Sequence, residues 1–196
     1  EPTMYPKLPS LIKYLKTLKN TKSVFLVTNG QEPDMLQRLI DEDALPTQLY
    51  LSTNASNKKM FMMVNRPRYR DAWDRWQESL ELLSEMNTRI VLRMTVIRNF
   101  NDSTNYVDEF ADMMKIGNPH FIEIKSYMHI GMSTQRLESS DMLEMDENRN
   151  YSHLLCKSLD RFSIMDESEI SRIVVLQNTE RFTERWIEGY EKPLIQ

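Results

Sequence analysis

One stretch of the sequence carries an acid and an amine at a spacing that can do chemistry. It reads FIEIKSYMHIG over residues 121–131, a pattern typical of a strand followed by a loop. Side chains two residues apart share a face of a strand, so Glu123 and Lys125 lie together while Ile122 and Ile124 face the opposite way. Two interpretations stay open here: a solvated charged face on an edge strand, or a functional pair in the interior.

A second candidate group is a guanidinium inside another predicted strand. Arg93 lies between Leu92 and Met94 in the segment RIVLRMTVI at residues 89–97. A guanidinium binds planar anions through two parallel hydrogen bonds. The sequence therefore leaves two alternatives for Arg93, an arginine at a sheet edge or an inward clamp for a carboxylate or phosphate.

A short basic segment follows the predicted third helix. It reads NRPRYR at residues 65–70 and places Arg66, Arg68 and Arg70 around Tyr69. Such a segment is either a solvated charged loop or a contact in which arginines bind RNA phosphates and the tyrosine stacks on a base.

Several classes of site are excluded or disfavoured. The sequence has no Walker loop, no Rossmann glycine fingerprint and no HExxH motif. The three histidines, His120, His129 and His153, are too far apart in the sequence to indicate a metal site. His129 nevertheless follows Lys125 closely. Cys156 is the single cysteine of the sequence, so the chain cannot contain a disulfide framework or a metal site built from several cysteines. We predict no metal ligands in this chain.

Composition sets wider bounds. The 196 residues suffice for one domain with a sizeable core, and 40% hydrophobic and 28% charged residues are typical of globular proteins. A net charge of −4 argues against general coating of nucleic acid but allows a local basic patch. No apolar run is long enough to span a bilayer. We expect a reducing, cytoplasmic location, and one domain over residues 1–196 in which about 180–196 form an extension.

The predicted strands and helices alternate along the chain. Strands are predicted over residues 23–28, 47–52, 89–97 and from 121, and weaker strands over 164–167 and 171–176. Helices are predicted over residues 10–19, 32–40, 57–63, 71–87, 105–115 and 150–161. A last outer helix, which holds Trp186 and Tyr190, is predicted within residues 180–196. This rhythm predicts an α/β fold with a parallel sheet that closes toward a barrel. The first strand, SVFLVT, is expected to be fully buried.

Polar residues follow each predicted strand. They are Thr28-Asn29, Ser52 to Asn54, Thr95 to Arg98, Lys125 to His129, and Ser171-Arg172. In parallel α/β folds the carboxyl ends of the strands meet at one rim, where the chemistry takes place. The sequence therefore predicts a functional site at this rim.

Several long segments of the chain, taken in sequence order, resemble successive segments of one enzyme family. They are EPTMYP at 1–6, LVTNG at 26–30, LPTQLYLSTNA at 45–55, NRPRYRDAWDRW at 65–76, RMTVIRNFN at 93–101, FIEIKSYMHIGMSTQRL at 121–137 and DESEISRIVVL at 166–176. They are similar to the radical S-adenosylmethionine (SAM) enzymes of wybutosine synthesis, the tRNA 4-demethylwyosine synthases.

The resemblance implies a fold and a reaction. The fold would be a partial (βα)6 radical-SAM barrel that lacks its first strand and cluster loop. A [4Fe–4S] cluster would cleave SAM, and the resulting radical would attack the methyl group of N1-methylguanosine-37 in tRNA-Phe. Pyruvate would supply two carbons for the new ring, and a flavodoxin-like domain or protein would donate electrons.

The resemblance also implies roles for individual residues. Glu1 matches the acid of the Gly-Gly-Glu motif that holds the SAM amino group, Asn29, Ser52 and Asn54 would contact SAM, and Arg93 would bind the SAM carboxylate. Lys125 would be the amine that engages pyruvate, and Glu123 would position or deprotonate it. Tyr127, His129, Arg136, Arg66 and Arg68 would face the guanosine or the RNA phosphates.

The sequence departs from the family at the cluster. Radical-SAM enzymes bind the cluster through a CxxxCxxC loop, and one cysteine cannot replace three thiolates. We therefore expect this chain to be the carboxyl-terminal part of the enzyme and to be inactive alone. Two alternatives stay open: a truncated, catalytically inactive tRNA-binding remnant, and a related radical-SAM activating enzyme with a protein substrate.

Overall fold

The computed structural model describes residues 1–187. The helices are α1 (Leu8–Thr17), α2 (Pro33–Asp41), α3 (Lys58–Asn65), α4 (Ala72–Leu82), α5 (Val107–Gly117) and α6 (Met145–Ser158). The strands are β1 (Phe25–Thr28), β2 (Gln48–Ser52), β3 (Arg89–Val96), β4 (Phe121–Ser126), β5 (Phe162–Ser168) and β6 (Ile173–Asn178).

The six strands form one sheet in the order β1-β2-β3-β4-β6-β5. Strands β1 to β4 are parallel, which confirms the predicted α/β fold. The expectation of a parallel sheet is wrong for β5 and β6, which form an antiparallel hairpin with β6 beside β4. Only residues 169–172 separate these two strands, and so short a connection permits a hairpin but no parallel crossover. The Ser171-Arg172 pair still reaches the predicted rim, because β6 starts where β4 ends.

Side-chain hydrogen bonds set several helix boundaries. Asn57 caps α3 by accepting a hydrogen bond from the Met60 amide. A reciprocal pair of bonds between Glu144 and Glu147 starts α6 at Met145, so the helix begins five residues before the predicted residue 150. The first predicted helix, over residues 10–19, starts two residues too late, since α1 already begins at Leu8.

The two faces of the sheet differ in chemistry. One face packs on the helices and buries Leu49, Leu92, Ile122 and Ile124 completely. The other face carries the alternate residues of each strand, including the charged side chains of β3 and β4, and we call it the inner face. The prediction of a fully buried first strand is wrong, because β1 exposes half of Phe25 on the inner face.

The end of the described chain crosses the sheet at the amino ends of β3 and β4. The Arg89 guanidinium donates to the carbonyls of Glu184 and Arg185, both at 2.6 Å. Arg181 likewise donates to the carbonyl of Met86 at 2.9 Å. Residues 180–187 contain no helix, so the predicted outer helix is wrong over this range, while Tyr190 lies outside the described residues. In residues 1–187 no helix has the length and apolarity needed to cross a membrane.

Candidate active site

A cavity of about 640 Å³ opens at the carboxyl ends of the parallel strands. Its lining includes Glu1, Asn29, Gln31, Glu32, Ser52, Asn54, Arg66, Arg68, Tyr69, Thr95, Tyr127, Ser133 and Arg136. The volume lies in the range of small-molecule and cofactor sites. The fold therefore brings eight of the twelve predicted site residues to one cavity, and it leaves Arg93, Glu123, Lys125 and His129 outside the lining.

Glu1 is fixed at one wall of the cavity. Its Oε1 accepts hydrogen bonds from the hydroxyls of Thr3 at 2.6 Å and Thr28 at 2.8 Å, and its Oε2 accepts one from the Asn29 amide at 2.8 Å. Burial works to raise the pKa of Glu1, but these hydrogen bonds outweigh it and hold the pKa below its usual value. The carboxylate is thus ionised and suited to bind a cation.

The turn after β1 depends on a glycine. Gly30 has a φ of +72°, and an added Cβ would lie 2.7 Å from Leu51 Cδ1. Only glycine fits this backbone and this close approach. The turn places Asn29 on the cavity wall, where its Oδ1 also accepts a hydrogen bond from the Gln31 amide.

A fully buried side chain that the sequence did not reveal ties β2 to β3 at the rim. Asn101 Nδ2 donates to the carbonyls of Asn54 at 2.9 Å and Thr95 at 2.8 Å. Asn101 Oδ1 accepts the Ile97 amide at 2.6 Å. Asn54, Thr95 and Ile97 all line the cavity. No local pattern could have revealed this role of Asn101, since its partner Asn54 lies 47 residues away in the chain.

The Asn54 side chain is also committed to the framework. Its Oδ1 accepts the Thr95 amide at 3.0 Å. Ser52 is held through its backbone, because the Trp76 indole donates to the Ser52 carbonyl at 3.0 Å and leaves the serine hydroxyl toward the cavity. Both predicted SAM contacts therefore stand on rigid strand ends.

Arg93 and Glu123 form an ion pair on the inner face. Arg93 Nε lies 2.8 Å from Glu123 Oε1, and Nη2 donates to Oε2 at 3.2 Å. The guanidinium also lies 4.4 Å above the ring centre of Tyr50. Burial raises the pKa of Tyr50, and the nearby Glu123 carboxylate raises it further. In this arrangement both members of the pair are bound to each other rather than open to a ligand.

Lys125 lies two residues beyond Glu123 on the same face and is partly buried. It is paired in register with Thr95 on β3, and Thr95 lines the cavity. Among the lysines of residues 1–187, Lys125 alone lies in a strand. The structure therefore places the backbone of Lys125 one strand away from a lining residue.

The loop after β4 forms another side of the cavity. The Tyr127 hydroxyl lies 3.2 Å from His129 Nδ1 and donates to Ser133 Oγ at 3.1 Å. Arg136 is exposed and donates to the Val64 carbonyl at 3.4 Å. Tyr127 and Arg136 line the cavity, whereas His129 is not part of the lining and contacts the Tyr127 hydroxyl.

An arginine that follows β3 anchors this loop. Arg98 donates to both carboxylate oxygens of Glu147 at 2.6 Å and to the carbonyls of Ser140 and Met142. The hydrogen bond from Arg98 lowers the pKa of Glu147 to about 2. Arg98 thereby fixes the second half of the loop against the end of β3.

The basic segment forms the opposite lip. Arg66 and Arg68 are exposed and line the cavity. The Tyr69 hydroxyl donates to Glu32 Oε1 at 2.8 Å, and the Arg75 guanidinium lies 4.6 Å from the centre of its ring. The hydroxyl and the ring of Tyr69 are therefore both in contact with other side chains of the protein, while Arg66 and Arg68 are exposed at the cavity mouth.

An iron–sulfur cluster does not fit the residues present. Among residues 1–187 no group of three or more His, Cys, Asp or Glu side chains is placed to hold a metal. Cys156 lies on α6, where its Sγ donates to the Phe162 carbonyl at 3.4 Å and burial raises the pKa of the thiol. A partly buried thiol with a raised pKa is a poor metal ligand.

Comparison with known proteins identifies the family. The family model of the radical SAM superfamily matches residues 1–114, more than half of the chain. The chain belongs to the radical SAM superfamily. A second family model, described as wyosine base formation, matches residues 116–178, so the two models follow one another along this radical SAM chain.

Relatives at about one-third identity carry one name. The S-adenosyl-L-methionine-dependent tRNA 4-demethylwyosine synthase of Pyrococcus abyssi is 35% identical over 90% of this chain and 50% of its own length. The synthase of Methanocaldococcus jannaschii is 35% identical over 92% of this chain and 54% of its own. That of Danio rerio is 34% identical over 91% of this chain and 23% of its own. This radical SAM chain spans about half the length, or less, of these curated relatives.

Solved structures agree with this assignment. A structure of TYW1 with a lysine-pyruvate adduct bound has a TM-score of 0.77 and 34% identity, over 92% of this chain and 55% of that one. The crystal structure of archaeal TYW1 has a TM-score of 0.73 and 31% identity, again over 92% of this chain and 55% of that one. The resemblance stated from the sequence is thus confirmed.

Proposed function

We propose that this chain acts in wybutosine synthesis as the SAM- and tRNA-binding part of a 4-demethylwyosine synthase. The reaction would join N1-methylguanosine-37 of tRNA-Phe to two carbons of pyruvate by radical chemistry. The names of the relatives and the two successive family models support this activity. The electron donor would be a flavodoxin-like domain or protein.

One observation carries the proposal. A single cavity has at one side the ionised Glu1 carboxylate with Asn29, and at the other the exposed guanidiniums of Arg66, Arg68 and Arg136. A carboxylate suits the ammonium group of SAM, and guanidiniums suit RNA phosphates. The two ligands that the reaction must bring together would therefore meet in this cavity.

The residues of this chain would bind and orient the ligands. Glu1 would hold the SAM amino group, and Ser52 and Asn54 would contact the rest of SAM from strand ends that Trp76 and Asn101 fix. Tyr127 and Arg136 would face the guanosine, with His129 supporting the Tyr127 hydroxyl. Rigid strand ends suit this task, because loss of orientational freedom is then small on binding.

Arg93 and Glu123 need a revised interpretation. A clamp on the SAM carboxylate would require Arg93 to leave Glu123, to which it is bound at 2.8 Å. We propose instead that the pair fixes the inner face of β3 and β4 beside Lys125. We propose that Lys125 is the amine that engages pyruvate. The structure of the relative TYW1 with a lysine-pyruvate adduct bound supports a lysine in this role.

The lone cysteine limits what this chain does. SAM cleavage in this superfamily needs a [4Fe–4S] cluster, and the residues present do not fit one. No step of cluster chemistry is therefore assigned to them. The second candidate function is a catalytically inactive tRNA-binding remnant.

The deciding experiment is disruption of the coding sequence in the source cell, followed by mass spectrometry of tRNA-Phe nucleosides. Loss of the tricyclic base with accumulation of N1-methylguanosine supports the synthase. An unchanged tricyclic base contradicts it. In that case retained binding of tRNA-Phe by the purified chain assigns the remnant, and absence of RNA binding favours an activating enzyme with a protein substrate.

Binding by the purified 196-residue chain tests the cavity directly. We expect calorimetry to show SAM binding that Glu1→Gln weakens about tenfold or more, because the neutral amide no longer attracts an ammonium group. Glu78→Gln on the exposed face of α4 is the matched control and should bind SAM like the wild type. Equal affinities of wild type and Glu1→Gln would remove Glu1 from the SAM site.

A further inference from the structure

An apolar knob stands at the lip of the cavity. It consists of Met128, Ile130 and Met132 in the loop after β4, and these side chains are 39%, 65% and 75% exposed. The residues on either side, Tyr127 and Ser133, line the cavity. Large apolar side chains that cluster in the open beside a binding site indicate an interaction surface.

The backbone of the knob is held by hydrogen bonds, while its side chains are exposed. The Tyr127 hydroxyl donates to Ser133 Oγ, and Ser133 Oγ donates to the Ile130 carbonyl at 2.7 Å. The Ile130 amide donates to the Met128 carbonyl at 2.8 Å. Gly131 makes the turn with a φ of +62°, and an added Cβ there would meet no atom within 4 Å. The fold therefore holds Ile130 and Met132 outward into open space.

The surroundings of the knob indicate which partner it fits. Arg136 follows it in the same loop, and Arg66 and Arg68 lie on the lip across the cavity, all three exposed. Guanidiniums around an apolar projection complement a polyanion whose interior is apolar, which describes a nucleic acid strand with stacked bases. A nucleic acid strand accounts for the exposed apolar side chains and the exposed guanidiniums together.

We propose that Ile130 and Met132 form a wedge that inserts between bases of a single-stranded RNA loop and fills the gap left by the base that enters the cavity. A base inside a stacked loop cannot reach a protein cavity unless it leaves the stack. Apolar side chains that replace it offset the loss of stacking. The inference rests on the proposed function, because it takes the RNA loop around the target guanosine as the ligand.

The test separates binding from unstacking. The probe is a tRNA-Phe anticodon stem-loop with 2-aminopurine next to the target guanosine, since this base becomes more fluorescent when it unstacks. The wild-type 196-residue chain should bind the probe and raise its fluorescence. Ile130→Ser/Met132→Ser should bind with an affinity changed less than about threefold but lose most of the fluorescence rise. Its melting temperature should match the wild type, since both side chains are exposed.

Ile116→Ser on α5 is the matched control, because this isoleucine is 50% exposed at the opposite end of the sheet. It should behave as the wild type does. An undiminished fluorescence rise in the double variant overturns the wedge and assigns the knob to a protein contact. Wild-type binding without any fluorescence rise also overturns it. Absence of RNA binding by the wild type would instead contradict the proposed function as a whole.

Discussion

Arg93 and Glu123 face one another across β3 and β4, with Arg93 Nε 2.8 Å from Glu123 Oε1 on the inner face of the sheet. Glu123 is 8% exposed, so its carboxylate has little water to replace a lost partner. Removal of one member of such a pair leaves an uncompensated charge, whereas removal of both costs much less.

For this pair we predict strong coupling in a double-mutant cycle. Arg93→Met should lower the free energy of unfolding by about 2–4 kcal/mol, because it strands the buried Glu123 carboxylate. The double variant Arg93→Met/Glu123→Leu should lie within about 1 kcal/mol of wild type. Urea denaturation measures both, with Glu81→Ala on exposed α4 as the control. Additive losses in the double variant would show that the pair contributes no coupling.

A second prediction concerns the Lys125 amine. If it engages pyruvate, borohydride in the presence of pyruvate should reduce the resulting imine and add a stable mass to the peptide that carries Lys125. Lys125→Arg should abolish this label, while Lys115→Arg on exposed α5 should not. Mass spectrometry of the digested protein reads the position. A label on any other lysine with Lys125 unmodified would refute the assignment.

A third prediction concerns salt dependence at the basic lip. Each guanidinium that contacts an RNA phosphate releases counterions, so Arg66→Ala/Arg68→Ala should weaken tRNA binding. The slope of log affinity against log salt concentration should fall by about 1 to 2 in this variant. The control is Lys157→Ala/Arg161→Ala, which removes one cation in the last turn of α6 and one just beyond that helix, at the opposite end of the sheet. Unchanged slopes in both variants would place the RNA elsewhere.

The buried Asn101 leads to a fourth prediction. Asn101→Leu should lower the free energy of unfolding by about 2–4 kcal/mol, because two carbonyls and one amide lose their buried partner. Asn105→Ala, at an exposed position four residues later, should change it by less than about 0.5 kcal/mol. Denaturant titration compares the two. A small effect at Asn101 would mean that water satisfies these groups.

A fifth prediction follows from His120. The Ile90 amide donates to its Nδ1 at 3.1 Å, so the ring accepts there and is neutral. Burial, with Arg181 and Arg89 nearby, lowers the pKa of His120 from 6.5 to about 4. Below pH 6.5 the unfolded chain takes up a proton that the folded chain refuses, so stability falls as the pH drops from 6.5 toward 4.

His120→Asn isolates this effect. The asparagine Oδ1 can still accept the Ile90 amide but does not titrate, so the variant should lose less stability than the wild type between pH 6.5 and pH 4. Chemical denaturation across this range measures the difference, and carboxylates that titrate near pH 4 cancel in the comparison. Parallel curves for the two proteins would show that His120 is protonated in the folded state.

Much of the fold was predictable because it depends on local patterns. Alternation in FIEIKS separates Ile122 and Ile124 from Glu123 and Lys125, and β4 places them on opposite faces as expected. The order of strands and helices gave the rim, because parallel strands must end at one edge. The ordered segments also predicted the family, which the family models confirm. A single domain over residues 1–196 stays a prediction.

The sequence alone determined which face of a strand each side chain occupies, and it predicted which residues carry chemistry. Only the tertiary structure decided that Arg93 is bound to Glu123, that Asn101 joins β2 to β3, and that β5 and β6 pair as a hairpin. Periodicity records the few residues around each position, whereas these contacts join segments that are distant in the chain. Their energies depend on strand register and burial, which exist only once the sheet has formed.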